Sequence, residues 1–181
     1  LPDHFISDGM GEVIKYGCIK DAELFETLCS RSSFEDLKPD LVSVIARCVD
    51  IKRVVVEADQ FDTGERMLLN FGHTLAHTIE QYYHYTRESH GEAVGIGMFQ
   101  ITKMSEEKGL TEPGCAEKIQ KTLKNYGLPF SCGLPLSALT GAIKLDKKNL
   151  NGNLNVVLLK SIGSSYVYPT DISFFTGVDL I

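Results

Sequence analysis

The sequence predicts a mainly α-helical domain with a small β element near its end. Two observations carry that expectation. Apolar residues recur at three- and four-residue spacing through most of the first 125 positions. Only Leu154 to Leu159 and Ser165 to Tyr168, set around Gly163, read as short strands.

Taken in order, Gly9 to Lys20 is a helix with Met10, Val13, Ile14 and Cys18 on one face, and Asp8 or Gly9 suits its cap. Asp21 to Ser30 is a second helix, with Leu24, Phe25 and Leu28 inward. Ser32-Ser33-Phe-Glu-Asp marks a turn and a new N-terminus. From Pro39 a long amphipathic helix runs to about Glu57, with Leu41, Val44, Ile45, Cys48, Val49 and Ile51 in period. Asp59 to Glu65 is a polar loop. A helix from about Asn70 follows, then a turn from Tyr83 to Ser89. The next helix runs from His90 to about Lys108, where Gly91, Gly95 and Gly97 point to close packing against a neighbour rather than to a phosphate loop. Another helix starts at Thr111 or Glu112 and ends at Asn125, before the break at Gly127-Leu-Pro. Ser137 to Ile143 is a short helix, Leu145 to Asn153 a turn-rich basic loop, and Asp171 to Ile181 a last helix.

The 181 residues fit one domain with a sizeable core. A net charge of −6 without a basic patch argues against nucleic-acid and anionic-membrane partners. No apolar run is long enough to span a membrane and no signal peptide is evident, so a cytoplasmic location is expected. Five widely spaced cysteines, Cys18, Cys29, Cys48, Cys115 and Cys132, fit small buried hydrophobes in a reducing compartment. The chain opens on Leu-Pro-Asp without methionine and enters motif-like sequence almost at once, which suggests a segment of a longer protein.

The chemistry concentrates between Arg66 and His90. Four of the five histidines fall within eighteen positions there. On one helix, Asn70, His73 and His77 share a face, and Arg66 joins them if the helix reaches back one turn. A guanidinium, an amide and imidazoles on one ridge suit an anion, a metal, or both. Catalytic zinc takes three ligands from His, Asp and Glu and keeps an open position. The candidates are Glu12, His73, His77 and His90, and spacing leaves open which of the histidines bind. Thr74 stands where a metalloprotease helix would carry its glutamate, so that reading is poor. Lys15, Lys52, Arg66, Asn70, Lys147 and Lys148 form a second, anion-binding set.

Four motifs in register carry a resemblance: Gly-Met-Gly-Glu-Val-Ile-Lys-Tyr-Gly at 9–17, Arg-x-Leu-Leu-Asn-Phe-Gly-His-Thr-x-x-His at 66–77, His-Gly-Glu-Ala-Val-Gly-Ile-Gly-Met at 90–98 and Asp-Lys-Lys at 146–148. Together they resemble the C-terminal, multi-helical domain of the 3-dehydroquinate synthase family. The resemblance implies Glu12, His73 and His90 as metal ligands, zinc or cobalt as the metal, and His77 as a substrate-binding histidine near the phosphate. It further implies Lys52 and Arg66 on the substrate carboxylate, with Lys15, Asn70 and one of Lys147 and Lys148 as further contacts. Lys15 and His77 are the catalytic candidates. The implied reaction converts 3-deoxy-D-arabino-heptulosonate 7-phosphate to 3-dehydroquinate and phosphate in the shikimate pathway, with NAD used catalytically and a homodimer as the intact form. NAD is expected on an N-terminal Rossmann-like domain, whose Gly-x-Gly-x-x-Gly after a strand does not occur in this sequence. This chain alone is therefore expected to be inactive.

The missing N-terminal half is the large departure from the family, and the others are small. Gly11 stands where the family more often has alanine, and Gln60-Phe61 replaces a charged pair. The competing readings are another sugar-phosphate cyclase, a metal-dependent polyol dehydrogenase, and a non-catalytic helical interaction module. A cyclase for a neutral sugar phosphate has no use for the Lys52 and Arg66 clamp, and the module predicts no specific metal affinity.

Overall fold

The computed structural model describes residues 2–59, 64–135, 137–138 and 154–175. Among them are seven α-helices and one β-hairpin, so the mainly helical expectation holds. The helices are α1 (Asp3–Lys20), α2 (Ala22–Ser30), α3 (Phe34–Leu37), α4 (Leu41–Ala58), α5 (His73–Tyr82), α6 (His90–Glu107) and α7 (Cys115–Asn125). No helix among the described residues is long and apolar enough to cross a membrane.

Helix α6 is the centre of the packing. Twelve of its residues are buried, from Gly91 to Ser105, and it contacts α1, α5, α7 and the hairpin. Ser89 starts it with a capping box: its hydroxyl accepts from the Glu92 N–H, and the Glu92 carboxylate accepts from the Ser89 N–H at 2.8 Å. The glycines have the packing role that their spacing suggested. A Cβ on Gly91 would lie 1.9 Å from the Asp8 carbonyl oxygen, and one on Gly97 would lie 2.1 Å from that of Gly72. Only bare backbone allows α6 to approach α1 and the start of α5 this closely.

Helix α1 begins six residues before the expected Gly9, so Asp8 lies within it rather than capping it. The Asp8 carboxylate instead accepts the Gly91 N–H at 2.5 Å, one of the unpaired donors at the start of α6. Asp21 caps α2 by accepting from Leu24 at 2.9 Å and grips Arg47 of α4 with two bonds of 2.7 and 2.6 Å. Burial alone would raise the Asp21 pKa, but the Arg47 hydrogen bond and charge, with the Leu24 N–H, bring it below the usual carboxylate range. Pro39 lies in a short 3-10 turn, Lys38–Asp40, ahead of α4.

Strands β1 (Leu154–Ser161) and β2 (Ser164–Thr170) pair antiparallel, with Val157 opposite Val167. Buried Val156 to Leu159 fix the hairpin on the core. The Gly163 N–H donates to the Cys18 carbonyl and the Ser165 hydroxyl to that of Ile19, docking the hairpin on the end of α1. Four cysteines are buried and Cys29 is half-buried, as expected of small apolar residues.

Two further boundaries differ from expectation. Helix α7 starts at Cys115, because Thr111 turns inward to donate to the Leu159 carbonyl. The tail forms a 3-10 turn over Ile172–Phe175, with the rest outside the described residues. The expected helix from Ser137 to Ile143 also lies outside them beyond its first two residues, as does the basic loop with Lys147 and Lys148.

Candidate metal centre

Three elements meet at Glu12, His73 and His90. Glu12 is on α1, while His73 and His90 are the first residues of α5 and α6. The Gly11 and Gly91 contact brings them together: a Cβ on Gly11 would stand 2.4 Å from the Gly91 carbonyl oxygen, and each glycine adjoins a site residue. The Gly11 departure thus falls at a close backbone approach beside the site.

The Glu12 Oε1 lies 3.6 Å from His73 Nε2 and 3.8 Å from His90 Nε2. One donor atom from each of the three residues falls within 4.8 Å of the other two. In a tetrahedral site with bonds of about 2.0–2.2 Å, ligand atoms stand about 3.3–3.6 Å apart. The two Glu12 to histidine separations match that spacing to within a few tenths of an ångström, so the set fits a divalent ion. Glu12 Oε1 supplies an independent observation, being a buried carboxylate oxygen without a hydrogen-bond partner. Such an atom is costly unless a cation or donor meets it.

Both histidines are oriented for the same purpose. The His73 Nδ1 lies 3.0 Å from the Phe71 carbonyl. A carbonyl only accepts, so the proton is on Nδ1 and Nε2 keeps its lone pair. The His90 Nδ1 lies 3.0 Å from Glu80 Oε1, with the same consequence. Burial, then the Lys15 charge, pushes the His73 pKa down to about 4. The ring is thus neutral at pH 7, the form that ligates.

Lys15 is buried on α1, one turn after Glu12, and donates to Glu12 Oε2 at 2.6 Å. Burial lowers its pKa; Glu12 opposes this shift and the nearby Lys52 adds to it. Lys52 is exposed on α4. The turn carrying Arg66 packs against α4 and α1, so the Lys15, Lys52 and Arg66 segments gather at one place.

The expected single ridge from Arg66 through Asn70 to His77 is not what forms. Residues Glu65–Asn70 make a 3-10 turn, and the chain breaks at Phe71 and Gly72 before α5. Gly72 has φ of 79°, and a Cβ there would meet Met98 Cγ at 2.8 Å. The close approach of α6 thus overrides the helical periodicity. Half-buried Arg66 and exposed Asn70 stand on the turn, and only His73 and His77 share the helix. His77 lies beside the cluster, its ring 5.5 Å from that of His73 and its side chain 58% exposed. Its Nδ1 is engaged with Glu80 Oε2 at 3.0 Å.

Glu80 is the residue that sequence reasoning missed. It is buried on α5 and touches both His77 and His90. The available signal was a carboxylate three residues after His77, on a helix already rich in histidine.

Residues 9–149 match the family model described as 3-dehydroquinate synthase C-terminal. The 3-dehydroquinate synthase of Clostridium perfringens (strain SM101 / Type A) is 57% identical over 176 residues, which is 97% of this chain and 50% of that protein. That of Streptococcus pneumoniae (strain JJA) is 39% identical over 167 residues, 91% of this chain and 47% of that protein. The chain spans about half the length of the curated relatives it matches. Two solved structures share the fold. One is ValA, a 2-epi-5-epi-valiolone synthase from Streptomyces hygroscopicus subsp. jinggangensis 5008 with NAD+ and Zn2+ bound. It has a TM-score of 0.84 at 21% identity, over 97% of this chain and 50% of that one. The other is 2-deoxy-scyllo-inosose synthase complexed with carbaglucose-6-phosphate, NAD+ and Co2+, with a TM-score of 0.77 at 21% identity, over 96% of this chain and 50% of that one. By the family match and the curated relatives, this chain belongs to the 3-dehydroquinate synthase C-terminal family.

Proposed function

We propose that this chain is the metal- and substrate-binding part of a 3-dehydroquinate synthase. The intact enzyme converts 3-deoxy-D-arabino-heptulosonate 7-phosphate to 3-dehydroquinate and phosphate, with NAD held mainly by an N-terminal Rossmann-like domain. The observation that carries this is the convergence of Glu12 Oε1, orphaned and buried, on the Nε2 atoms of His73 and His90. Zinc is the metal of choice for this donor set, and cobalt also suits two nitrogens and an oxygen. A homodimer and a cytoplasmic location belong to the same reading.

Glu12, His73 and His90 would hold the ion, which would supply Lewis-acid polarisation of a substrate hydroxyl. The chain's own groups do the rest. Lys15 places a positive charge 2.6 Å from the Glu12 carboxylate, where it balances negative charge gathering on the substrate oxygens. Lys52 and Arg66 grip the substrate carboxylate, Arg by its planar fork and Lys as a compact charge. Asn70 and one of Lys147 and Lys148 add further contacts, and His77 binds near the phosphate. Holding both ends of the substrate restricts the later ring-closing steps to one geometry.

The 57% identity to a 3-dehydroquinate synthase, against 21% to the cyclases, favours this substrate over a neutral sugar phosphate. The test is turnover by the intact protein of the heptulosonate phosphate against glucose 6-phosphate, following phosphate release. Release from the first only, lost in Arg66→Ala, supports the reading. Release from glucose 6-phosphate instead overturns it in favour of another cyclase.

A further inference from the structure

Glu80 is a buried carboxylate that the proposed chemistry does not use. It lies in the last turns of α5, and its two oxygens are divided between two rings. Oε2 is 3.0 Å from His77 Nδ1 and Oε1 is 3.0 Å from His90 Nδ1. An ionised carboxylate accepts and cannot donate, so both rings must carry their proton on Nδ1. Each is left with a lone pair on Nε2. On His90 that is the atom 3.8 Å from Glu12 Oε1.

We propose that Glu80 is a positioning residue that sets one tautomer on two histidines of different function. His90 then presents its Nε2 to a divalent cation. His77 presents its Nε2 as a hydrogen-bond acceptor, so the ring in that tautomer receives a hydrogen bond from a substrate hydroxyl near the phosphate rather than giving one to the phosphate oxygens. This rests on the metal-site reading and adds to it a shared device linking the metal side to the substrate side. A carboxylate is required: an amide at position 80 offers one acceptor and one donor, so both rings cannot keep a hydrogen-bonded Nδ1–H.

The test uses the intact, metal-free protein with 15N-labelled histidine, at a pH where the rings are neutral. His77→Ala and His90→Ala assign the signals. In the wild type both rings are expected as the Nδ1–H tautomer, and in Glu80→Gln at least one changes. Glu80→Ala is expected to weaken Co2+ binding by about 10–100-fold, the usual cost of losing a group that orients a ligand. An Nε2–H tautomer on either ring of the wild type overturns the proposal, as does unchanged Co2+ affinity in a folded Glu80→Ala protein. If Glu80→Ala does not fold, the Glu80→Gln spectrum decides: two unchanged tautomers refute the proposal. Glu12→Ala in the same titration separates the two readings. If it binds Co2+ like the wild type, the metal site itself is wrong. If it loses Co2+ and Glu80→Ala does not, only the role of Glu80 falls.

Discussion

Gly91→Ala places a methyl group at the crossing of α1 and α6. Its Cβ would stand 1.9 Å from the Asp8 carbonyl oxygen and 2.7 Å from the carbonyl carbon, both rigid backbone atoms. An ordinary carbon–oxygen approach is about 3.3 Å, so the helices must part by about 1.4 Å. That stretches the Gly91 N–H to Asp8 bond from 2.5 Å past hydrogen-bonding range. Overpacking costs about 1–3 kcal/mol, and a lost bond to a charged acceptor about 1.5–3 kcal/mol. Better helix propensity returns up to about 1 kcal/mol. The expected net loss is about 1.5–5 kcal/mol. The same movement carries His90 from Glu12, opening 3.8 Å towards about 5 Å, too wide for one small ion. Zinc affinity should fall at least about tenfold. Gly9→Ala is the control, with open space around its Cβ, and should be neutral or stabilising by up to about 1 kcal/mol. Urea denaturation followed by circular dichroism, with zinc competition against a chromophoric chelator, reads both quantities. If Gly91→Ala keeps the wild-type midpoint and zinc affinity, the glycine contact does not build the site.

Gly72→Ala combines a φ of 79° with contacts under 3.0 Å, and should lower stability by about 1–3 kcal/mol in the same denaturation assay. Because the folded-state pKa of Asp21 is depressed, its contribution is present above the unfolded value near 3.8 and is lost as pH falls through the folded value. Asp21→Asn keeps a capping oxygen, so its stability gap to the wild type should be widest near neutrality and close below about pH 4; a gap independent of pH would mean the Arg47 pair contributes nothing. Chelating the metal should lower the unfolding midpoint, since zinc held at 100 times its Kd adds about 2.7 kcal/mol. That shift should vanish in His73→Ala.

Helix α2 was legible because local pattern and burial agree, whereas on α4 only Val44 and Cys48 of the expected apolar face are buried and Ile45 and Val49 are exposed. The close packing of Gly91 and Gly97 was legible too, since glycine in a helix has a cost that demands a reason. The break at Gly72 was not: it arises from the approach of α6, a contact between distant parts of the chain. For the same reason periodicity grouped Arg66 and Asn70 with His73. Spacing proposed four metal ligands, resemblance selected Glu12, His73 and His90, and the structure brings those same donor atoms together. Glu80 stayed hidden because one glutamate on a helix looks like any surface residue until its burial and both partners are seen. Lys147 and Lys148 lie outside the described residues.

Bound zinc per chain of the intact protein after dialysis tests the central claim most directly, for the wild type and for Glu12→Ala, His73→Ala, His77→Ala and His90→Ala. The account predicts about one zinc per chain in the wild type and in His77→Ala, and none in the other three. Zinc retained without Glu12 or His90, or lost with His77, would contradict it.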